Sequence, residues 1–315
     1  MKPLVVITGP TAVGKTELSI KIAKAIDGEI ISADSIQVYK HMDIGSAKIT
    51  KEEMQGIKHY LIDEFEPDEE FNVHVFKEKT LEYMDKIYEA GKIPIIVGGT
   101  GFYIQSVLYD IQFNDEEIDS AYRKELENIA KEKGNDYLHN MLKEVDEESA
   151  LNIHKNNLKR VIRALEFYKN TGKKISTHNE EQSQNISPYN FVYFVLNDKR
   201  ELLYERINKR VDIMFDKGLV NEVKNLLNMG YTKDLVSMNG IGYKEVVDYI
   251  NGKYSLDETK EIIKRETRHF AKRQLTWFRR EKDVTMVNYF DYDSIDDTLK
   301  YMINTLREKD IIKND

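Results

Sequence analysis

The sequence predicts an α/β fold, a parallel sheet flanked by helices, with an inserted all-helical domain and a helical C-terminal part. Three observations carry that prediction. Short apolar, β-rich runs recur at 4–8, 29–33, 59–62 and 93–97, and they alternate with segments of helical spacing such as 73–90. The first run leads into Gly9-Pro10-Thr11-Ala12-Val13-Gly14-Lys15-Thr16, a GxxxxGKT phosphate loop, and residues 17–23 continue it with helical period. From Phe113 to Pro188 the chain is charged and helical in period, and Phe191-Val192-Tyr193-Phe194-Val195-Leu196 then reads as a strand returning to the sheet. The expected architecture is therefore P-loop NTPase-like, with residues 1–112 and 190–315 forming the core and 113–189 the insertion.

After Asp198 the pattern is mostly helical, at 199–217, 219–229, 244–251 and 256–282, followed by a last apolar run at 284–289 and a terminal helix. Gly218, Gly230, Gly240 and Gly242 punctuate these helices.

Composition narrows the function classes. With 315 residues, 41% of them apolar, and five prolines, the chain can bury one large or two modest cores. The absence of cysteine excludes disulfides, thiolate nucleophiles and Cys-ligated zinc, and it fits a reducing compartment. No N-terminal segment resembles a signal peptide, and no apolar run approaches the roughly 18 residues needed to span a bilayer. We expect a cytoplasmic protein with no membrane partner.

A net charge of −8 argues mildly against nucleic acid, but the charge is segregated. Residues 114–149 hold twelve Asp/Glu against five Lys/Arg, whereas 260–282 hold nine Lys/Arg against three Glu. A basic stripe thus runs through an acidic protein. Taken alone it reads as a solvated helix face.

The phosphate loop supplies amide N–H groups, a helix dipole and the Lys15 ammonium to one anion, ordinarily the polyphosphate of a nucleotide such as ATP, and Thr16 would hold Mg²⁺ on it. Asp34 follows a strand within Ser32-Ala33-Asp34-Ser35-Ile36-Gln37-Val38-Tyr39 and has two chemical roles open to it, water-mediated Mg²⁺ binding or general base. It could instead cap the next turn. Ser35 and Gln37 offer donors and acceptors suited to a base edge. The acid that usually orients Mg²⁺ for water attack has only a weak counterpart in Asp63, and the strand at 93–97 ends in Gly98-Gly99-Thr100. Two glycines permit close approach of a ligand, or simply a tight turn, and a Thr hydroxyl can donate to a leaving oxygen. This disfavours an ATPase.

Three basic elements remain. Lys159 and Arg163 share a helix face at i,i+4, with Val161, Ile162 and Leu165 on the buried side. A second helix carries Arg206, Lys209 and Arg210, and a third, 268–280, interleaves cations with aromatics. Cations read a phosphate backbone and aromatics can stack on unpaired bases, although Trp277 and Phe278 at helical spacing read as core.

The chain resembles the tRNA dimethylallyltransferase (tRNA isopentenyltransferase) family, in its bacterial form. The resemblance rests on the phosphate loop, residues 32–39, Met42-Asp43-Ile44-Gly45-Ser46-Ala47-Lys48, Val97-Gly98-Gly99-Thr100-Gly101, Arg163-Ala164-Leu165-Glu166, Gly240-Ile241-Gly242-Tyr243-Lys244 and Ala271-Lys272-Arg273-Gln274-Leu275-Thr276-Trp277, in family order. Ser46 stands where Thr is usual, and Ile49 where Pro usually follows the Lys.

The resemblance implies transfer of a dimethylallyl group from dimethylallyl diphosphate to N6 of the adenosine 3′ of the anticodon, with release of diphosphate. It implies that Gly9 to Thr16 and Mg²⁺ bind the diphosphate, Thr100 donates to its bridging oxygen, Arg210 clamps it and Asp34 accepts the amine proton. By the same resemblance tRNA would be contacted by Asp34, Ser35, Ile36, Gln37, Thr100, Arg123, the segment Lys159-Arg160-Val161-Ile162-Arg163, and Asn239-Gly240-Ile241-Gly242-Tyr243-Lys244. The enzyme is expected to act as a monomer. Two other readings stay open, a small-molecule or nucleotide kinase and a nucleotide-gated RNA-binding module.

Overall fold

Strand β1 (Lys2–Thr8) is followed by α1 (Lys15–Ala25), β2 (Gly28–Ala33), α2 (Lys51–Met54), β3 (His59–Tyr60), α3 (Val73–Glu89), β4 (Ile93–Gly98) and α4 (Gly101–Leu108). Then come α5 (Ser120–Lys133), α6 (Asn135–Val145), α7 (Glu147–Asn152), α8 (Leu158–Thr171) and α9 (Ile175–Ser183). The chain returns through β5 (Tyr189–Asn197), α10 (Arg200–Asp216), α11 (Leu219–Asn228), α12 (Tyr243–Ile250), α13 (Leu256–Phe278), β6 (Val284–Asn288) and α14 (Ile295–Glu308). This computed structural model describes residues 1–112 and 120–313. The first seven residues assigned to the insertion, 113–119, lie outside them.

By compactness the chain divides into Met1–Leu108 with Pro188–Asp315, and Tyr109–Ser187. The first unit holds a six-stranded sheet of order β3-β2-β4-β1-β5-β6, parallel throughout. Its central strands read as continuous apolar runs because helices cover both faces: Leu4, Val5, Val6, Ile7, Ile95 and Ile96 are all fully buried. Burying each such side chain contributes about 1.5–3 kcal/mol to the stability of the unit.

The connection leaving β1 runs toward the β3 edge and the one leaving β4 toward the β6 edge, so β1 and β4 flank a topological switch point. Ligands of open parallel sheets sit at the carboxyl ends of such strands. There the register pairs Thr8 with Gly98, and Ala33 with Gly98 on the other side.

Two predicted elements end early. The run at 59–62 forms only a two-residue strand, because Leu61 and Asp63 take left-handed backbone (φ 59° and 55°) and turn the chain away. The helix expected to reach Lys282 stops at Phe278, capped at Arg279, and the chain reverses through Asp283 at φ 56°.

The second unit, α5 to α9 among the described residues, packs around Leu126, Leu138, Leu142, Val161, Ile162 and Leu165. Asp146 pins it. Backbone N–H and hydroxyl groups of both Ser149 and Ser176 donate to its carboxylate. Burial alone would raise this carboxyl, but those hydrogen bonds outweigh it and hold the group below the usual carboxylate range.

Candidate active site

The phosphate loop leaves β1 through Gly9, whose φ of 142° and whose approach to the Leu196 carbonyl, 2.4 Å from where a Cβ would stand, admit no side chain. Ala12 and Val13 turn inward and are buried, so the loop presents backbone rather than side chains. Gly14, at φ 101°, is the N-cap of α1 and offers no side chain to bond the first-turn amides. A helix start without a side-chain cap keeps its N–H groups and dipole available to an anion.

Lys15 Nζ folds back over the loop and donates to the carbonyls of Gly9 and Pro10, each at 2.9 Å. Desolvation first, and then the charge of Arg210, push its ammonium down to about 7 against the opposing pull of Asp34. Arg210, on α10, is likewise desolvated and faces Asp34. Lys15, Arg210 and Asp34 therefore form one charge cluster. Residues of β1–α1, β2 and α10 meet there although they are far apart in sequence.

Asp34 shows the turn-capping geometry that sequence left open. Its Oδ1 accepts from the N–H of Ile36 at 2.9 Å and of Gln37 at 3.3 Å. No hydrogen bond to Oδ2 occurs among the described residues, so capping and base chemistry are compatible. Thr100 lies one strand away: its N–H donates to the Ala33 carbonyl at 3.2 Å, and its own carbonyl accepts from Tyr103 and Ile104 at the start of α4. The gap between Asp34 and Thr100 is thus fixed by backbone bonds.

A cavity of about 850 Å³ opens on the loop, lined by Ala12, Val13, Gly14, Thr16, Arg210 and a wall that includes Ile44, Ala47 and Met214. Thr16 is exposed to it. Among the described residues no group of three His, Cys, Asp or Glu could hold a metal, so a cation here would need ligand oxygens in addition to the Thr16 hydroxyl. Asp63, the weak candidate for a metal-orienting acid, is tied instead to Lys48, whose Nζ also donates to Asp43 at 2.6 Å and to the Tyr39 carbonyl at 2.7 Å.

Several residues expected to face RNA have other surroundings. Tyr243 is fully buried, and its hydroxyl donates to Glu222 at 2.8 Å. Of its segment, Asn239 is exposed while Gly240 lies against Ile36. Gln37 donates its side-chain amide to the carbonyls of Ser46 and Ala47, leaving only its oxygen for a base. In the second unit Val161 and Ile162 are core, so only Lys159, Arg160 and Arg163 of that segment reach solvent. Arg123 makes a two-pronged bond to Glu166, at 2.9 and 2.7 Å, with its side chain 42% exposed.

Sequence reasoning assigned no role to Gln274 or Glu222. Gln274, 6% exposed, accepts from the Thr11 N–H at 2.9 Å and donates to the Gly99 carbonyl at 3.0 Å. Glu222 accepts from three successive N–H groups, of Asp43, Ile44 and Gly45, at 3.0, 2.7 and 3.0 Å. Only folding brings these partners together.

The strand–loop–helix at β1, the carboxylate at the end of β2 and the hydroxyl after β4 define a phosphate-loop protein of the parallel-sheet class. The IPP transferase family model matches residues 37–281, more than half of the chain. The chain belongs to the IPP transferase family. It is 60% identical over 313 residues to the tRNA dimethylallyltransferase of Lachnoclostridium phytofermentans, covering 99% of this chain and all of that one. It is similar to the crystal structure of a tRNA isopentenylpyrophosphate transferase from Bacillus halodurans (TM-score 0.74, 43% identity, 98% of each chain). It is also similar to a eukaryotic dimethylallyltransferase acting on tRNA (TM-score 0.84, 30% identity, 99% of this chain and 80% of that one).

Proposed function

We propose that this enzyme transfers the dimethylallyl group of dimethylallyl diphosphate to N6 of the adenosine 3′ of the anticodon in tRNA. The observation that carries the reading is the phosphate loop entering an uncapped α1, with Arg210 lining the cavity on that loop and Thr100 bonded through its N–H to the Ala33 carbonyl beside Asp34. Cations serve the diphosphate, and the carboxylate serves the amine.

N6 forms a bond to the allylic carbon as the C–O bond to diphosphate breaks. The electron pair of that bond leaves with the bridging oxygen, to which Thr100 donates, while loop amides, Lys15 and Arg210 stabilise the growing charge. Asp34 takes the amine proton at Oδ2, the oxygen not engaged in its turn. The purine delocalises the lone pair of this nucleophile, so the base matters. Ser35 and the free oxygen of Gln37 are suited to an extruded base, which is cheapest to unstack in a loop.

Mg²⁺ would be held by Thr16 and the diphosphate oxygens, and when bound it neutralises part of the leaving-group charge. The enzyme is proposed to work as a monomer, since a single chain supplies Lys15, Asp34, Thr100 and Arg210. A cytoplasmic location is consistent with the described residues, none of whose helices is long and apolar enough to cross a membrane.

Incubation with unmodified tRNA and labelled dimethylallyl diphosphate, and in parallel with γ-labelled ATP, decides the reading. Label entering tRNA supports it, and label leaving ATP selects a kinase. Asp34→Asn, which keeps an oxygen acceptor for the turn but cannot take the proton, is expected to lower turnover by about 10² or more with tRNA affinity nearly intact, the usual size of general-base catalysis. Parallel loss of tRNA binding would remove Asp34 from that role.

A further inference from the structure

We infer that Gln274 is a positioning residue that sets the separation between the phosphate loop and Thr100. The inference rests on the proposed function, because it concerns the two groups between which the scissile C–O bond would lie.

Gln274 sits near the end of α13, 263 residues from Thr11, and is buried where the tips of β1 and β4 meet. Its amide is used at both ends. The carbonyl oxygen Oε1 accepts from the Thr11 N–H inside the phosphate loop, and the Nε2 group donates to the carbonyl of Gly99, the residue preceding Thr100. A planar side-chain amide has a fixed distance between its oxygen and nitrogen, so holding both ends fixes the distance between the two loops. No other residue type of this length supplies a neutral acceptor and a neutral donor on one rigid plane.

The same helix supplies a second restraint three residues on. A Cβ on Gly99 would stand 2.1 Å from Gln274 Nε2, and one on Gly101 would stand 2.3 Å from the Trp277 ring. Gln274 and Trp277, at i and i+3 on one face of α13, therefore press on the two glycines that bracket Thr100. The glycines of this turn let α13 come close enough to hold the backbone on both sides of Thr100 at a set place. Phe102 meets Trp277 edge to face at 6.5 Å and extends the contact into α4.

Gln274 touches neither reacting atom, so its removal should change rate through geometry. Gln274→Met keeps length and burial but bonds neither loop. In this variant kcat is expected to fall about 10- to 100-fold, the size of effect that a displacement near 1 Å produces. KM for tRNA should stay within about twofold, and the dissociation constant for inorganic diphosphate, measured by calorimetry, should rise about tenfold as the Thr11 amide loses its anchor. An unchanged kcat in the folded variant overturns the inference, and so does an unchanged diphosphate affinity. If the wild-type chain transfers no label to tRNA, the proposed function fails, and the diphosphate titration still decides whether Gln274 positions the loop.

Should Gln274→Met fail to fold, Gln274→Glu takes its place. That variant still accepts from Thr11 but turns a carboxylate oxygen on the Gly99 carbonyl. Its kcat relative to wild type should be low at pH 8 and recover toward pH 6, as the carboxyl gains the proton that it can donate to Gly99. A ratio flat across that range overturns the inference.

Discussion

At the scale of single residues, Lys15 has the most consequential titration in the molecule. Its ammonium is held at about 7 against an ordinary 10.5 by desolvation and then by Arg210. Because the folded value lies below the unfolded one, the unfolded chain binds the proton between those two values and the folded chain does not. Stability from this group therefore rises with pH across that window, and its full penalty is present below about 7. Lys15 donates to the Gly9 and Pro10 carbonyls, and a diphosphate bound on the loop would favour its charged form by attraction. Diphosphate binding at pH 8.5 is therefore expected to draw in up to about one proton more in wild type than in Lys15→Arg, whose guanidinium never releases its proton. Calorimetry in buffers of different ionisation enthalpy reads the difference, and equal uptake by the two proteins would mean that Lys15 is charged before the ligand arrives.

At the scale of elements, α11 supplies a restraint on the cavity at the phosphate loop. Glu222 in its first turn collects the amides of Asp43, Ile44 and Gly45 and the buried hydroxyl of Tyr243. Asp43, Ile44, Ala47 and Lys48 all line the cavity at the phosphate loop, so Glu222 holds one wall. Glu222→Ala would remove the acceptor of the buried Tyr243 hydroxyl and of three amides, two of them half-buried. A loss of about 1–3 kcal/mol in unfolding free energy is expected by urea titration, with weaker diphosphate binding. Unchanged stability would show that water replaces the carboxylate. These elements also mark what the sequence could disclose. The strand, loop and α1 were legible because contiguous residues form the phosphate-loop motif, and the places of Asp34 and Thr100 at the sheet edge because each follows a readable strand. Glu222 and Gln274 were not, since their partners lie 177–179 and 175–263 residues away and no local period encodes such pairings. Tyr243 was placed at an RNA surface by its motif, while the fold buries its ring against Gly45. Helical period alone cannot separate those two fates.

At the scale of the whole molecule, the question is how a chain of net charge −8 engages a polyanion. Mean charge repels tRNA at long range, but beyond a Debye length of about 8 Å at physiological salt that repulsion is screened, so local cationic faces decide the encounter. In the second unit that face is α8, where Lys159, Arg160 and Arg163 are exposed while Val161 and Ile162 anchor the opposite side in the core. Arg123 is partly neutralised by Glu166 and adds less charge to this face. Lys159→Ala with Arg163→Ala should thus weaken tRNA binding without unfolding the unit, because neither side chain contributes to its apolar core. Each lost phosphate contact removes about 0.7–0.9 from the slope of log affinity against log salt, so the double variant should show a slope shallower by one to two. Dimethylallyl diphosphate affinity should not change, since the proposed anion site draws on β1, α1 and α10 of the other unit. A salt slope equal to wild type would exclude α8 from the tRNA footprint. The remaining cationic candidates are Lys272 and Arg273 on α13 and Arg280 in the turn after it, which line a second cavity of about 620 Å³ beside Trp277.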